Sequence, residues 1–461
     1  MSQTAALRIS LFNELKASLK LGSPIILTNL AQVAILTTNL IFIGRLGKVE
    51  LAAGSLAASL YQACMIFSLG LVSATIPMLA TTLGKDRSNL SAIQQIMRHG
   101  FLTALIICLP FWLLMSQAQH LWLALGQNPE TALLATSYIH SIQWSLLPYL
   151  GYIVLRSFFA ALEKPLWTLN VAIAGIVVNA LFGWLLIFGE MGFPQLGLIG
   201  AGIATTVTNV LMLSGMLLLV YRHPIFKHYK IFTQFFQWNW QQLYQLWKLG
   251  IPIAITFTLE TLVFYAAVIM MGIIGDTSLA AHAIAMQISS VSYMIPLGFG
   301  QVATIRVGLA MGRAAPHDAV QAGWVSYGLG VGFMGLAACV MWLQPEFLIQ
   351  FFIDLKAPEN RAVIITATQF LFFAALFQLT DGAQAVAAGM LRGLYDTRTP
   401  MLLALLGYWV LGVPIGAFLA FVVGMEGIGI WIGFVTGLSV VAVLLTLRWW
   451  RHGKRLLTRL E

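Results

Sequence analysis

Of the 16 Asp and Glu residues, all but two lie in polar segments between apolar runs. The exceptions are Glu260, in TFTLETLVFYAAV (256–268), and Asp381, in FQLTDGAQAVAAGM (377–390). A carboxylate at the centre of a bilayer costs roughly 2.5–3.5 kcal/mol on insertion scales, so each needs a partner or a use. Glu260 follows Lys248 by 12 residues and Asp381 precedes Arg392 by 11; at a helical rise of about 1.5 Å per residue both sit roughly 16–18 Å from a basic anchor. Two carboxylates at one depth in a low-dielectric setting cannot both stay ionised unless a cation joins them or one takes a proton. Such a pair can switch between cation-filled and protonated states; the structural alternative is a proton-sharing lock between two helices. Helical spacing puts Thr256 and Phe264 one turn either side of Glu260, and Phe377, Gln378 and Gln384 about one turn from Asp381. Their amide and hydroxyl oxygens suit Na+, and their aromatic faces attract an organic cation.

The elements that hold these groups are membrane helices. The chain has 461 residues, 59% of them apolar and 9% charged, against an apolar share of about 45–50% in soluble domains. Twelve apolar stretches are long enough to span: 24–44, 51–83, 99–117, 133–155, 166–189, 197–221, 250–274, 280–305, 322–343, 362–391, 401–423 and 427–447. No alternation of the kind found in barrel strands is visible, so the expected fold is all-α and polytopic. The N-terminal MSQTAALRISLFNELKASLK lacks a cleavable apolar core and reads as a retained amphipathic lead-in. Of the 25 Lys and Arg, only Arg45, Lys48, Lys356 and Arg361 fall in segments on the outer side if the N-terminus is inside. That asymmetry places both termini in the cytoplasm and explains the net charge of +9 without a nucleic-acid partner. Cys64, Cys108 and Cys339 are scattered in apolar stretches, which predicts buried thiols rather than a metal site or disulfides.

The chain is internally repeated. KLGSPI (20–25) returns as KLGIPI (248–253), and Leu51-Ala52-Ala53 returns at the same offset as Leu279-Ala280-Ala281. Later, Leu155-Arg156 with Pro165 matches Leu391-Arg392 with Pro400. Two six-helix lobes follow, 1–221 and 249–461, with 222–248 as a cytoplasmic linker. Six helices per half make the repeat parallel, an architecture of secondary transporters. No G-x-x-x-x-G-K-[ST] loop is present, so energy is expected from an ion gradient. The repeat sets Gln32 opposite Glu260 and Ser145 opposite Asp381, so the buried charge is confined to the second half. The first half keeps neutral polar groups, among them Asn29, Gln32, Asn39, Asn179, Thr205 and Asn209, which either line a cavity or bond between helices. His282, in LAAHAIAMQISS, is expected to be capped or solvated, with a proton relay as the other reading.

KLGIPIAITFTLETLVF, LAAHAIAMQISS, IPLGFGQVATIRVG and FQLTDGAQAVAAGMLRG together resemble the multidrug and toxic compound extrusion (MATE) family, in its bacterial NorM-type branch, over nearly the whole chain. The resemblance implies an exporter of cationic amphipathic compounds driven by Na+ or H+ entry, with no cofactor and working as a monomer. It maps a cation site onto Glu260 and Asp381, with Phe264 as its aromatic neighbour. The acidic residue that relatives carry in the first helix is matched by Asn39, which cannot take up and release a proton in that role. Among rivals, a flippase for lipid-linked oligosaccharides needs cations in its cavity, and no Lys or Arg falls in the twelve stretches. A membrane-embedded enzyme needs a metal or acid–base cluster, and there is no H-E-x-x-H.

Overall fold

The computed structural model describes residues 3–233 and 239–458, and side chains from residue 11 onward. Residues 234–238 of the linker, the Arg8 side chain, Arg459 and Glu461 lie outside the described residues. All regular structure described is helical. Helix α1 (Gln3–Gly44) fuses the polar lead-in to the first span; its 42 residues far exceed the roughly 20 that a bilayer core requires. It is followed by α2 (Lys48–Val72) with α3 (Thr75–Lys85), α4 (Leu90–Ser116), the short α5 (Ala118–Ala124), α6 (Pro129–Ile142), α7 (Leu146–Ala161), α8 (Leu166–Phe188), α9 (Gly197–Arg222) and α10 (Pro224–Lys227). The second half holds α11 (Trp240–Ile274), α12 (Asp276–Gly312), α13 (Pro316–Leu343), the short α14 (Pro345–Ile349) and α15 (Arg361–Gly393). It ends with α16 (Arg398–Ala404) and α17 (Val413–Ala417), each continued by a π-helical stretch (Leu405–Gly412 and Phe418–Val422), and α18 (Glu426–Thr458).

Among the described residues, eleven helical runs are long and apolar enough to cross a membrane. The twelfth expected span, 133–155, is divided between α6 and α7 by a 3-10 turn at Gln143–Ser145. Pro148 contributes to the break: it has no N–H to offer the carbonyl of Trp144 one turn earlier, which removes a helical hydrogen bond at the turn. Apolar side chains point outward, as lipid allows. On α4, Leu105, Leu109 and Leu113 form an exposed stripe at four-residue spacing while Thr103, Ile107 and Cys108 are buried. Cys339 is exposed, unlike Cys64 and Cys108, because apolar sequence alone does not say which face meets lipid.

The residues fall into two compact units, 27–254 and 1–26 with 255–461. These units do not follow the order of the sequence lobes. Helix α1 gives the part up to Ile26 to the unit built from the second half, and α11 gives the part before Ile255 to the unit built from the first half. The two division points occupy matching positions in the repeat. Packing inside each unit repeats in the same way. In one, Gly22 lies under Phe299 and Gly298 under Ile26; in the other, Gly250 lies under Leu71 and Gly70 under Ala254. Each member of one set is the repeat counterpart of a member of the other. The glycine of each KLG motif is therefore where a helix lead-in approaches its neighbour closely.

In the unit containing residues 1–26 the lead-in is also tied by charge. Arg306 of α12 donates to both carboxylate oxygens of Glu14, at 2.9 and 2.5 Å, with both side chains mostly buried. In the other unit the linker folds back on the helices: Gln94 donates to the Tyr229 carbonyl at 3.0 Å, and the Phe226 ring stacks on Phe159 at 3.9 Å.

Candidate functional site

Helix α11 presents Glu260 and α15 presents Asp381, and one amide joins them. Gln384 Nε2 donates to Glu260 Oε1 and to Asp381 Oδ1, 3.3 Å in each case. The two carboxylate oxygens are thus no more than twice that distance apart. Glu260 also accepts from the Tyr293 hydroxyl of α12 at 3.2 Å. Asp381 is 3% exposed, whereas Glu260 is half-buried, so the pair has one closed and one open side. Gln378, one turn before Asp381, donates to the Ser289 carbonyl at 3.1 Å and to Ser292 Oγ at 2.6 Å. Its Oε1, the Ser289 Oγ and the Tyr408 hydroxyl are buried with no partner among the described residues. Unpartnered buried polar atoms are rare in folded proteins. Gln378 shares its helix with Asp381, and Ser289 shares its helix with Tyr293, so the helices that bear on the pair also carry neutral hard oxygens of the kind an alkali cation takes.

The π-helical stretch at Leu405–Gly412 supports this arrangement. It widens the backbone where Tyr408 turns inward and Trp409 donates its indole N–H to the Leu259 carbonyl at 3.2 Å, beside Glu260. One turn from the carboxylates, Phe264 and Phe377 meet edge to face at 6.2 Å, and both contact Phe434, at 5.7 and 6.0 Å. Trp431 closes the group, 5.9 Å from Phe377.

His282 belongs to this aromatic cluster and is neither capped nor solvated. It is 1% exposed, faces Trp431 at 5.5 Å, and neither ring nitrogen has a partner among the described residues. Nearly two turns into α12, it lies too far from the helix start to cap it.

A further difference from the sequence concerns charge. Helix α15 continues to Gly393, so Arg392 belongs to the helix whose apolar stretch ended at 391. Its guanidinium lies over the Phe257 ring, 4.9 Å from the centroid, and Phe257 is about one turn before Glu260. A cation is therefore present where none was expected, although a single stacked guanidinium is a poor match for the charge of a pyrophosphate. The repeat-equivalent residue in the other unit is Arg156, which donates to Asn29 Oδ1 at 2.5 Å.

Gln32, Asn39 and Asn179 belong to that other unit. Gln32 is half-buried on α1. Asn39 donates to Thr205 Oγ1 at 3.0 Å, and Thr205 in turn donates to the Ala201 carbonyl at 2.9 Å. Asn179 is fully buried with both amide atoms unpartnered among the described residues. Ser145, the counterpart of Asp381, is hydrogen-bonded to the Tyr61 hydroxyl at 2.5 Å. Sequence reasoning missed Tyr293, Tyr408 and Trp409. They carry polar tips into apolar spans, but no spacing in the sequence ties them to Glu260 or Asp381.

The MatE family model matches residues 24–185 and 252–418, two blocks that start at matching positions of the repeat. The probable multidrug resistance protein NorM of Brucella suis biovar 1 is 54% identical over 439 residues, covering 95% of this chain and 93% of that protein. Its namesake in Burkholderia mallei is 36% identical over 446 residues, covering 96% and 94%. Among solved structures, the eukaryotic MATE transporter AtDTX14 matches with a TM-score of 0.85 at 22% identity, over 98% of this chain and all of that one. A multidrug resistance MATE transporter of the MOP superfamily, in an outward-facing conformation, matches at 0.85 and 17% identity, over 96% of both. A family model spanning both halves, and relatives similar from end to end, make this chain a member of the MATE family of transporters.

Proposed function

We propose that this transporter exports amphipathic organic cations in exchange for a monovalent cation, Na+ in preference to H+, and that Glu260 and Asp381 are the coupling site. The observation that carries the reading is the sharing of Gln384 Nε2 by carboxylates of two different helices; the unpartnered oxygens of Gln378, Ser289 and Tyr408 support it. A cation entering there satisfies those oxygens and cancels charge that burial makes expensive. Phe264 and Phe377 offer ring faces to an organic cation one turn away, so cation entry and drug release compete for one neighbourhood. The two repeat-related units are the parts that move to alternate access, in an inner membrane with both termini cytoplasmic.

The test uses purified protein in sealed vesicles with an imposed ion gradient. Glu260→Gln, Asp381→Asn and the double change are each expected to lower ion-driven efflux at least tenfold, the double no further than the singles, because the two act as one unit. Folding should survive, as each amide keeps the shape and removes a buried charge. Mutants that transport normally but unfold early would mean that the pair is a structural lock. Efflux unchanged after replacing Na+ by a bulky inert cation at fixed pH would leave H+ as the coupling ion.

A further inference from the structure

The helices of the unit carrying Glu260 and Asp381 hold three partly buried arginines near their ends, and two of them are paired. Arg306 is paired with Glu14 and Arg448 with Asp396. Arg392 is the exception: no hydrogen bond or ion pair to its guanidinium is made among the described residues, and that group rests on the Phe257 ring. In the other unit the equivalent arginine donates to the Asn29 amide oxygen; at the matching position Phe257 offers Arg392 a ring face in place of that acceptor. Phe257 precedes Glu260 by three residues on α11, so the guanidinium is stacked about one helical turn from that carboxylate. A stacked guanidinium keeps its planar donors available to an acceptor.

Resting on the coupling-site reading above, we infer that Arg392 is a built-in countercharge that makes the carboxylate pair a site for one monovalent cation and keeps that cation loosely held. Two ionised carboxylates carry two negative charges, Arg392 supplies one positive charge, and a single monovalent cation completes neutrality. When the cation leaves, Arg392 still offsets half of the exposed charge, so the empty site is accessible. When the cation is bound, repulsion from the nearby guanidinium weakens it. A transporter needs both, since an ion that binds too tightly is never released.

The experiment measures 22Na+ binding and exchange on purified, detergent-solubilised full-length protein, or proton uptake after a pH jump if the wild type binds no 22Na+. Removing the charge in Arg392→Gln should tighten the cation about tenfold and slow its exchange by a similar factor. Arg392→Lys keeps the charge and should stay within about twofold of wild type, while Glu260→Gln should abolish binding. Tighter binding with slower turnover is the opposite of what structural damage does, and thermal unfolding of each variant is recorded alongside. Arg392→Gln that folds and binds with unchanged or weaker affinity, while Glu260→Gln binds nothing, overturns the countercharge and leaves the coupling site standing. Should Glu260→Gln and Asp381→Asn bind like wild type, the coupling reading fails and the countercharge with it.

Discussion

The two KLG motifs are identical in sequence, yet alanine should be tolerated at one glycine and not at the other. A Cβ on Gly250 would sit 2.4 Å from the carbonyl oxygen of Leu71 and 2.9 Å from Leu71 Cδ1. Ordinary van der Waals contact begins near 3.4 Å, so the first approach is a full ångström too close, and its partner is backbone inside a helix that cannot turn aside. At Gly22 the nearest atom is the edge of the Phe299 ring at 3.1 Å, which yields by a small rotation. Overpacking of a rigid contact costs typically about 1–3 kcal/mol, and Gly250→Ala should fall at the upper end. Gly22→Ala should lie within about 0.5 kcal/mol of wild type, because alanine's better helix propensity, roughly 1 kcal/mol, offsets the mild crowding. Thermal unfolding of purified protein, scored by loss of monodisperse material, reads both changes against the same wild type. Equal losses at the two sites would refute the close backbone approach of Gly250.

Breaking the ion pair of Arg306 with Glu14 by Glu14→Gln should cost about 1–3 kcal/mol, below the full penalty of a buried pair since both side chains keep some exposure. A double-mutant cycle with Arg306→Gln should recover a coupling energy above about 1 kcal/mol; simple additivity would remove the lead-in from that unit. Asn39→Asp should destabilise by about 1–2 kcal/mol, because Thr205 spends its proton on Ala201 and the new carboxylate would face only lone pairs. Thermal unfolding at neutral and acid pH checks this, the loss shrinking as the carboxylate takes up a proton. Lys227 is exposed on α10, so Lys227→Cys should label with a membrane-impermeant maleimide in inverted vesicles and not in intact cells; labelling from outside would reverse the topology.

Much of the candidate site is visible before folding because a carboxylate in an apolar run is conspicuous whichever way its helix turns. Glu260, Asp381, Gln378 and Gln384 stand out on that ground, with helical spacing supplying the neighbours. Tyr293 and Tyr408 do not, since a tyrosine in a membrane span signals nothing until another helix is known to face it. Residue order makes Arg392 an anchor outside its span. Its long side chain and the continuation of α15 carry the charge to the Phe257 ring, and neither can be read from the sequence. His282 follows its helix start closely enough to suggest water, yet Trp431 and Phe434, far along the chain, enclose it.

Class, span number and the internal repeat follow from sequence alone, because hydropathy is a sum over neighbouring residues and a bilayer of fixed thickness converts that sum directly into length. Which face of each helix meets protein does not follow in the same way. Lipid is as apolar as leucine, so hydropathy does not separate the buried Ile107 and Cys108 of α4 from its exposed Leu105, Leu109 and Leu113 stripe. For the same reason the lobes drawn by chain order and the compact units differ. The part of α1 up to Ile26 and the start of α11 look like ordinary lead-ins to the spans that follow them. Only contacts distant in sequence, Gly22 with Phe299, Gly250 with Leu71 and Glu14 with Arg306, decide which unit holds each one.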